Sequence, residues 1–310
     1  MKVSLIATVL NAVDDVGGFL TSIDAQRVRP DEVVIVDGGS TDGTVELLAA
    51  AEGITLIREP GANIARGRNL AIAHAAHDVI AVADADCTYD PGWLEALLRP
   101  IAEGADVAMG TYAPITRGFL DACVAGVNLP LDPADVDEAT FAPSARSVAF
   151  RREAIDAVSG YPEWLAIGED MWVDLRWRER AFDMRLAPEA VAHWRPRGTL
   201  DATWVQYFRY ARGDALAGMH PERHALRFGV YGALGAALTS RRRWPKLLAA
   251  AGAVAYAREP VRRARARVGT AHERTAAVVC VPLLMAWIDA AKMAGYAAGL
   301  ADRARRRPRR

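Results

Sequence analysis

The chain has 310 residues, of which 52% are hydrophobic, and its 38 basic residues balance its 38 acidic residues. This length and composition predict a globular protein of one large or two modest domains, and they exclude an intrinsically disordered chain. The three cysteines form no CxxC pair, which indicates reduced thiols and a cytosolic compartment, and no secretory signal is recognisable.

The first hundred residues alternate between short apolar runs and amphipathic segments. Four runs are typical of buried parallel strands: VSLIATVL, DEVVIVD, ITLIRE and DVIAVAD. Each run is followed by a segment with helical spacing, and the fourth helix is predicted to begin at Pro91 with Asp90 as its cap. This alternation predicts a doubly wound, mostly parallel α/β sheet with helices on both faces.

Beyond residue 105 the pattern changes. From Ala105 to Arg197, three β-like pieces surround an acid-rich segment, WLAIGEDMWVDLRWRERA. The β-like pieces are DVAMGTYAP, RSVAFRR and MRLAPEAVAHW. After Gly198 the chain is predicted to be helical.

Three uncharged segments near the C-terminus alternate with arginine-rich runs. They cover residues 228–240, 247–257 and 275–288, and each has only 11 to 14 residues. A membrane span needs about 18 or more apolar residues, so none is predicted, and a re-entrant hairpin over 275–300 is the alternative. Residues 226–310 contain 18 Lys and Arg against 4 acidic residues, a local charge of +14.

This basic, apolar region has two interpretations. Short apolar helices flanked by arginines favour a chain that lies in the interface of an anionic membrane. The alternative is a helical subdomain that packs on the α/β part or on a partner subunit and leaves its arginines in solvent. The recurrence of apolar segments and basic runs favours membrane association.

Polar residues follow the apolar runs, at the sheet edge where such folds bind ligands. Asn11 follows the first run, Asp37 the second, and Asp84 with Asp86 the fourth. Residues i and i+2 of an extended chain point to the same face, so the two aspartates are predicted to approach one Mg²⁺ or Mn²⁺ ion. The alternative is a pair of solvated turn acids or a helix cap.

Two further stretches fit a phosphate ligand. After Asp37, Gly38 leaves room for a ligand against the backbone, next to the start of a helix that favours anions. Arg66, Arg68 and Asn69 lie in the first turns of another helix, where guanidinium groups would neutralise a diphosphate. The alternatives are an ordinary strand-to-helix turn and the surface of an amphipathic helix.

Taken together, these stretches resemble family 2 glycosyltransferases with the GT-A fold. The resemblance covers about residues 1–215 and rests on the order and spacing of six motifs. They are VSLIATVLNA, VVIVDGGSTDGTVELL, ARGRNLAI, VIAVADADCTYDPGWLEALL, RSVAFRREAIDAVSGYPEW and IGEDMWVDLRWRERA. The resemblance implies an enzyme that binds a nucleotide-sugar across the strand ends and transfers the sugar with inversion.

The resemblance also implies roles for individual residues. The Asp86 and Asp84 pair would hold Mg²⁺ or Mn²⁺ on the diphosphate, and Asp37 would contact the base. Asp170 is expected to be the general base that takes the proton of the acceptor hydroxyl, supported by Glu169. The implied nucleotide-sugar contacts are Thr8, Asn11, Asp37, Gly38, Arg66, Arg68, Asn69 and Asp84.

A later stretch, QYFRYARGD, resembles the QxxRW element of membrane-linked members of that family. It implies an acceptor or diphosphate role for Gln206, Arg209 and Tyr210, and Trp194 with Arg195 is expected to contribute. Tyr210 stands where the element has Trp, which keeps a stacking surface and argues against polymer synthesis. The alternative is an amphipathic helix whose aromatic side chains pack on the catalytic domain.

The predicted organisation is a catalytic domain over residues 1–215, with donor and acceptor halves divided at 110, and a membrane-associated helical region over 216–310. The resemblance implies a nucleotide-sugar donor and a lipid-linked or glycan acceptor. The cytosolic face of a bacterial membrane is the expected location, with peripheral or monotopic attachment, and no nucleic-acid partner is expected. A sugar nucleotidyltransferase and an inactive membrane-bound scaffold are the alternative functions.

Overall fold

A computed structural model describes residues 1–306 and divides the chain into two compact units. The first, called here the sheet unit, comprises Met1–Pro114 and Asp132–Arg195. The second, called the helical unit, comprises Ile115–Leu131 and Pro196–Arg310, of which 307–310, the end of the basic tail, lie outside the described residues. Residue 215, the domain boundary predicted from the sequence, falls inside the helical unit.

The sheet unit contains a mixed sheet, which has eight strands within residues 1–306. The strands are β1 Val3–Val9, β2 Glu32–Asp37, β3 Ile54–Arg58, β4 Val79–Asp84, β5 Cys87–Tyr89, β6 Val107–Pro114, β7 Ser147–Arg151 and β8 Met184–Trp194. Their order is β3-β2-β1-β4-β7-β6-β8-β5. The first four strands in this order, β3, β2, β1 and β4, are parallel to one another, and β6 is parallel to β8. β7 is antiparallel to both β4 and β6, and β5 is antiparallel to β8.

Helices connect the strands and form the second unit. Within the described residues they are α1 Val13–Asp24, α2 Thr44–Ala49, α3 Ile64–His74, α4 Trp93–Ala102, α5 Phe119–Asn128, α6 Arg152–Ala157, α7 Glu169–Glu179, α8 Leu200–Ala217, α9 Pro221–Thr239, α10 Arg243–Arg267 and α11 Ala271–Arg306. The prediction of a doubly wound, mostly parallel α/β fold followed by helices is confirmed.

The core of the sheet unit explains why the apolar runs form strands. β1 and β4 are buried along almost their whole length, as expected for parallel strands that are covered on both faces. Ile6, Ile80, Phe150 and Trp177 belong to one buried cluster. Each fully buried side chain of this size contributes about 1.5–3 kcal/mol to folding.

The predicted cap of α4 is wrong. The helix begins at Trp93, and no side chain caps it. The backbone carbonyl of Asp90 accepts a hydrogen bond from Trp93 N–H at 2.9 Å. The carboxylate of Asp90 lies instead 3.0 Å from Nε2 of His193 on β8, because β5 brings this loop to the edge of β8.

The last uncharged segment, residues 275–288, belongs to a much longer helix than its length in the sequence predicts. α11 is one continuous helix through Pro282, and its segment Ala271–Arg305 is long and apolar enough to cross a membrane by length and composition. Within the helical unit, Asp289 lies 2.8 Å from Arg227 Nε and accepts from the Tyr231 hydroxyl at 3.0 Å. These local partners offset the cost of burying the carboxylate of Asp289 within the helices.

Glycines allow α11 to lie close to α8. A Cβ atom on Gly295 would meet the backbone oxygen of Phe208, and one on Gly299 would lie 2.6 Å from that of Arg212. Both distances are far below ordinary van der Waals contact, so a side chain at either position would force the helices apart.

Candidate active site

The candidate site lies at the carboxyl ends of β2, β1 and β4. In the register of the sheet, Thr8 of β1 aligns with Asp84 of β4, and Val9 aligns with Asp37 of β2. The expected convergence of these strand ends therefore occurs. α3 packs closely over them, since a Cβ atom on Gly67 would lie 2.8 Å from Thr8 Cγ2.

Asp37 is fully buried and organises its own loop. Its carboxylate accepts from the backbone N–H groups of Gly39 and Ser40 at 2.9 and 3.1 Å. Across the loop, the Asn11 side chain accepts from Thr41 N–H at 3.0 Å, and Asn11 N–H donates to the Ser40 hydroxyl at 2.8 Å. The predicted contact of Asp37 with a base stays a prediction.

Gly38 lies where the backbone of this loop passes the next one. A Cβ atom at this position would lie 3.1 Å from the carbonyl oxygen of Ala62 and 3.6 Å from that of Val9. The close approach explains why the chain has glycine here, independently of any ligand.

Arg68 joins two of the predicted motifs. Its side chain is only 4% exposed, with Nη2 3.1 Å from Asp84 Oδ1 and Nη1 2.5 Å from Glu169 Oε1. The guanidinium also lies 5.3 Å from the centre of the Tyr161 ring. Burial opposes the charge of Arg68, but Glu169 and Asp84 outweigh that effect and raise its pKa. Arg68 thus links the carboxyl end of β4 to the first turn of α7.

The other residues of that helix lie elsewhere. Arg66 is 48% exposed and pairs with Glu59 at 2.6 Å, on the surface as the alternative interpretation expected. The Asn69 side chain donates to the Tyr161 carbonyl at 2.9 Å and accepts from Tyr161 N–H at 2.8 Å. Asn69 therefore binds the backbone of the segment that precedes α7. Any contact of Arg66 or Asn69 with a diphosphate stays a prediction.

The two aspartates of the DAD motif occupy different environments. Ala85 and Asp86 form a turn between β4 and β5, so the assumption of one extended strand is wrong. Asp84 is half-buried between Arg68 and Arg146, whose Nε lies 3.6 Å from Asp84 Oδ2, whereas Asp86 is exposed.

These carboxylates fit a hard divalent cation in one respect. Their oxygens are the ligands that Mg²⁺ and Mn²⁺ prefer, and such ions often take one or two carboxylates and complete their shell with substrate phosphates. Asp86 is exposed enough for direct coordination, but the guanidinium partners of Asp84 compete for its oxygens. Among residues 1–306, no group of three or more His, Cys, Asp and Glu side chains is arranged to hold a metal ion.

Glu169 and Asp170 begin α7, after Gly168 in a left-handed conformation with φ 87°. Glu169 is buried, and its burial, with the nearby charge of Asp170, raises its pKa to about 7 despite Arg68. Asp170 is the more exposed member of the pair, and its Oδ1 accepts from Met171 N–H at 2.8 Å. This geometry makes Asp170 the carboxylate with access to solvent.

Two residues near the site were missed by the sequence analysis. Arg146 precedes β7, and because β7 is antiparallel to β4, it meets the carboxyl end of β4; its guanidinium also lies 5.2 Å from the Trp194 ring centre. Asp174 is buried one turn after Asp170, and its burial, reinforced by the charge of Asp170, raises its pKa well above the ordinary value. The i, i+4 spacing to Asp170 was the available signal for Asp174.

The predicted acceptor residues are divided between the units. Trp194 ends β8, and Arg195 Nη2 lies 3.1 Å from Asp15 Oδ1, both within the sheet unit. Gln206, Arg209 and Tyr210 lie on α8 in the helical unit, where Gln206 Nε2 donates to the Tyr210 hydroxyl at 2.8 Å. Their predicted roles stay predictions.

Comparison with known proteins relates part of the chain to one enzyme family. Residues 4–121 match the sequence profile described as Glycosyl transferase family 2. Over this segment the chain is similar to family 2 glycosyltransferases. The chain is 31% identical over 211 residues to the succinoglycan biosynthesis protein ExoA of Rhizobium meliloti, and this match covers 61% of the chain and 63% of that protein. It is 24% identical over 223 residues to the O-antigen chain rhamnosyltransferase RfbN of Salmonella typhimurium, with 67% and 71% covered.

Solved structures show that the chain has the GT-A fold. The mannosyltransferase PcManGT from Pyrobaculum calidifontis, in complex with GDP-Man and Mn²⁺, superposes with a TM-score of 0.57 at 19% identity, over 97% of this chain and 87% of that one. S. aureus TarS residues 1–349, in complex with UDP-GlcNAc, give a TM-score of 0.55 at 17% identity, over 100% and 93%.

Proposed function

We propose that this protein is an inverting, divalent-cation-dependent glycosyltransferase that moves a sugar from a nucleotide-sugar to a lipid-linked or cell-surface glycan. The observation that carries this proposal is the buried Arg68, which pairs with both Asp84 and Glu169. It brings the DAD turn and the first turn of α7 into one site. Asp86 is exposed and Asp170 is half-buried, so we infer that ligands reach these two carboxylates.

Each half of that site has a chemical task. The acceptor oxygen forms a bond to the anomeric carbon as the bond from that carbon to the diphosphate oxygen breaks, and Asp170 takes the acceptor proton. A cation held by Asp86 and the donor phosphates would neutralise charge on the leaving nucleoside diphosphate. Arg68 holds Asp84 close to the start of α7. The buried Glu169 positions Asp170, which follows it in the chain.

The similar proteins support the substrate classes. Solved structures of the same fold contain GDP-Man with Mn²⁺ and UDP-GlcNAc, and relatives are named for succinoglycan and O-antigen synthesis. In the helical unit, many large apolar side chains of α9, α10 and α11 are exposed, among them Leu226, Leu247, Val254 and Leu283. Apolar surface of this extent supports membrane association, with the catalytic unit on the cytosolic face.

The first test concerns the base. A panel of nucleotide-sugars with Mn²⁺ identifies the donor by thermal stabilisation, and Asp170→Asn is then compared with the wild type. We expect turnover to fall by about 10²–10⁴, the usual range for a general base, while donor binding stays within about twofold. Asp156→Asn, an exposed carboxylate on α6, is the matched control. Unchanged turnover in Asp170→Asn would refute the assignment.

The second test concerns the cation. Asp86→Ala should abolish the dependence of donor binding on Mn²⁺, because it removes the exposed carboxylate of the DAD turn. Asp90→Ala, which removes the third acid of the same stretch, should leave that dependence intact. Formation of nucleotide-sugar from nucleoside triphosphate and sugar phosphate would instead support a nucleotidyltransferase, and donor binding without turnover an inactive scaffold.

A further inference from the structure

The helical unit contains a groove that the proposed reaction does not use. It lies between α10 and α11 and has a volume of about 760 Å³. The apolar side chains that line it, including Val254, Val261 and Val278, are called here its floor. Arginines, among them Arg258 and Arg265, line its rim.

Three of the rim arginines lack the counter-ions that their neighbours have. Arg262 pairs with Glu259 at 2.5 Å, and Arg263 reaches the same carboxylate at 3.0 Å. Within residues 1–306, the structure gives no ion pair to Arg258, Arg265 or Arg274, and all three are exposed. Like charges that converge on one groove repel one another unless an anion lies between them, so the rim is complementary to an anionic group.

Two of the three arginines without ion pairs lie at one end of the groove. α10 ends at Arg267 and α11 begins at Ala271, and so short a connection makes the helices antiparallel neighbours. Arg265 and Arg274 therefore flank the connection. Val254 lies about 16 Å from Arg265 along α10, at 1.5 Å per residue. A ligand that fills this groove needs an anionic head and an apolar tail.

We propose that the groove binds one molecule of an anionic phospholipid, with its phosphate between Arg265 and Arg274 and an acyl chain along Val254, Val261 and Val278. Guanidinium groups bind phosphate oxygens through paired N–H donors, and these bonds would position the head group of the lipid. The exposed Leu248 and Leu283 continue the apolar surface beyond the groove. The inference rests on the membrane association proposed above, because a bilayer supplies this ligand.

Binding of a soluble short-chain lipid to the full chain tests the groove directly. Dihexanoyl phosphatidylglycerol is titrated by calorimetry below its micellar concentration, beside dihexanoyl phosphatidylcholine and inorganic phosphate. We expect the anionic lipid to bind at least about tenfold more tightly than either of the other two, because only it satisfies both ends of the groove. Equal binding of phosphatidylcholine or of phosphate alone, or no lipid binding, would overturn the proposal.

Two variants separate the groove from general basicity. The triple variant R258Q/R265Q/R274Q should lose at least about tenfold in affinity for the anionic lipid. The control R241Q/R242Q/R243Q removes the same charge at the start of α10 and should stay within about twofold of the wild type. An equal loss in both variants, or none in the first, contradicts a discrete site.

A floor variant and a competing lipid test the nature of the tail. Val278→Asn should weaken the binding of the lipid and leave the weak binding of phosphate unchanged, since the substitution alters only the apolar surface. A tenfold or greater preference for a short isoprenyl phosphate over the glycerophospholipid, about 1.4 kcal/mol, would overturn the phospholipid assignment.

The proposed function is measured separately in the same samples. Circular dichroism and Mn²⁺-dependent donor binding should be unchanged in all groove variants. If the wild type binds no nucleotide-sugar donor, that result counts against the glycosyltransferase proposal. It does not affect the lipid-binding result. Failure of the full chain to float with phosphatidylglycerol vesicles would count against membrane association, whereas the short-chain titration alone decides the groove.

Discussion

Each unit of this protein contains an arginine paired with a buried acidic side chain, but the two clusters differ in what lies beside them. In the sheet unit, Arg68 holds Asp84 and Glu169, whose sequence neighbours Asp86 and Asp170 face solvent. In the helical unit, Arg227 and Tyr231 satisfy Asp289, which is buried within the helices. The difference shows that a buried ion pair can organise carboxylates for ligands in one place and let a long apolar helix tolerate a charge in another.

Removing Arg68 should have the largest effect on this comparison. Arg68→Met keeps the length of the side chain but leaves Asp84 and Glu169 without their counter-ion. We expect a loss of about 3–5 kcal/mol in the free energy of unfolding of the sheet unit, together with loss of activity. Urea denaturation measures the effect. Arg66→Met, at an exposed pair, is the control and should cost less than about 1 kcal/mol; a similar cost for both variants would contradict the role of Arg68.

Asp289→Ala tests the corresponding cluster of the helical unit. It leaves the guanidinium of Arg227 half-buried without a carboxylate, and we expect a loss of about 3 kcal/mol in the free energy of unfolding of the helices. Donor binding should persist, because all the predicted nucleotide-sugar contacts from Thr8 to Asp84 lie in the sheet unit. Glu222→Ala, on the surface of α9, is the control. If donor binding fell as steeply as helix stability, the distinction between an organising and a structural ion pair would be wrong.

The contact of α8 with α11 offers a smaller test in the helical unit. Gly295→Ala puts a methyl group against the Phe208 carbonyl, and we expect a loss of about 1–3 kcal/mol in stability. Gly232→Ala is the matched control, because nothing lies within 4 Å of a Cβ at that helical position. This control should gain up to about 1 kcal/mol from helix propensity. Thermal unfolding followed by circular dichroism distinguishes the two outcomes.

The smallest expected effect is a pH dependence in the sheet unit. Burial and the charge of Asp170 raise the pKa of Asp174 above its ordinary value of 3.8. As pH rises above 3.8, the unfolded chain releases this proton before the folded one, so Asp174 lowers stability progressively until its folded pKa is passed. Asp174→Asn removes this titration. We expect its stability relative to the wild type to improve by about 1 kcal/mol or more between pH 5 and pH 8, and a constant difference in urea unfolding would contradict the shift.

The sequence predicted the fold more completely than the details of the site. The continuous apolar runs became β1 to β4, because a strand covered on both faces needs apolar residues at every position. Asp37 and Asp84 lie at the strand ends where the run pattern predicted them. The helical unit was predicted less well: α11 runs through Pro282 and past Asp289, because residues that end an uncharged stretch of sequence do not have to end a helix.

By itself, the sequence determined the order of strands and helices, the family motifs and the acidic residues at the strand ends, since these depend on local periodicity and spacing. Only the tertiary structure decided which of those residues are buried and which partners they have. Arg68 pairs with a glutamate 101 residues away, and Arg146 reaches Asp84 through an antiparallel strand. Such pairings depend on how distant segments pack and on the cost of burying a charge without its partner, and neither is written in the neighbouring residues.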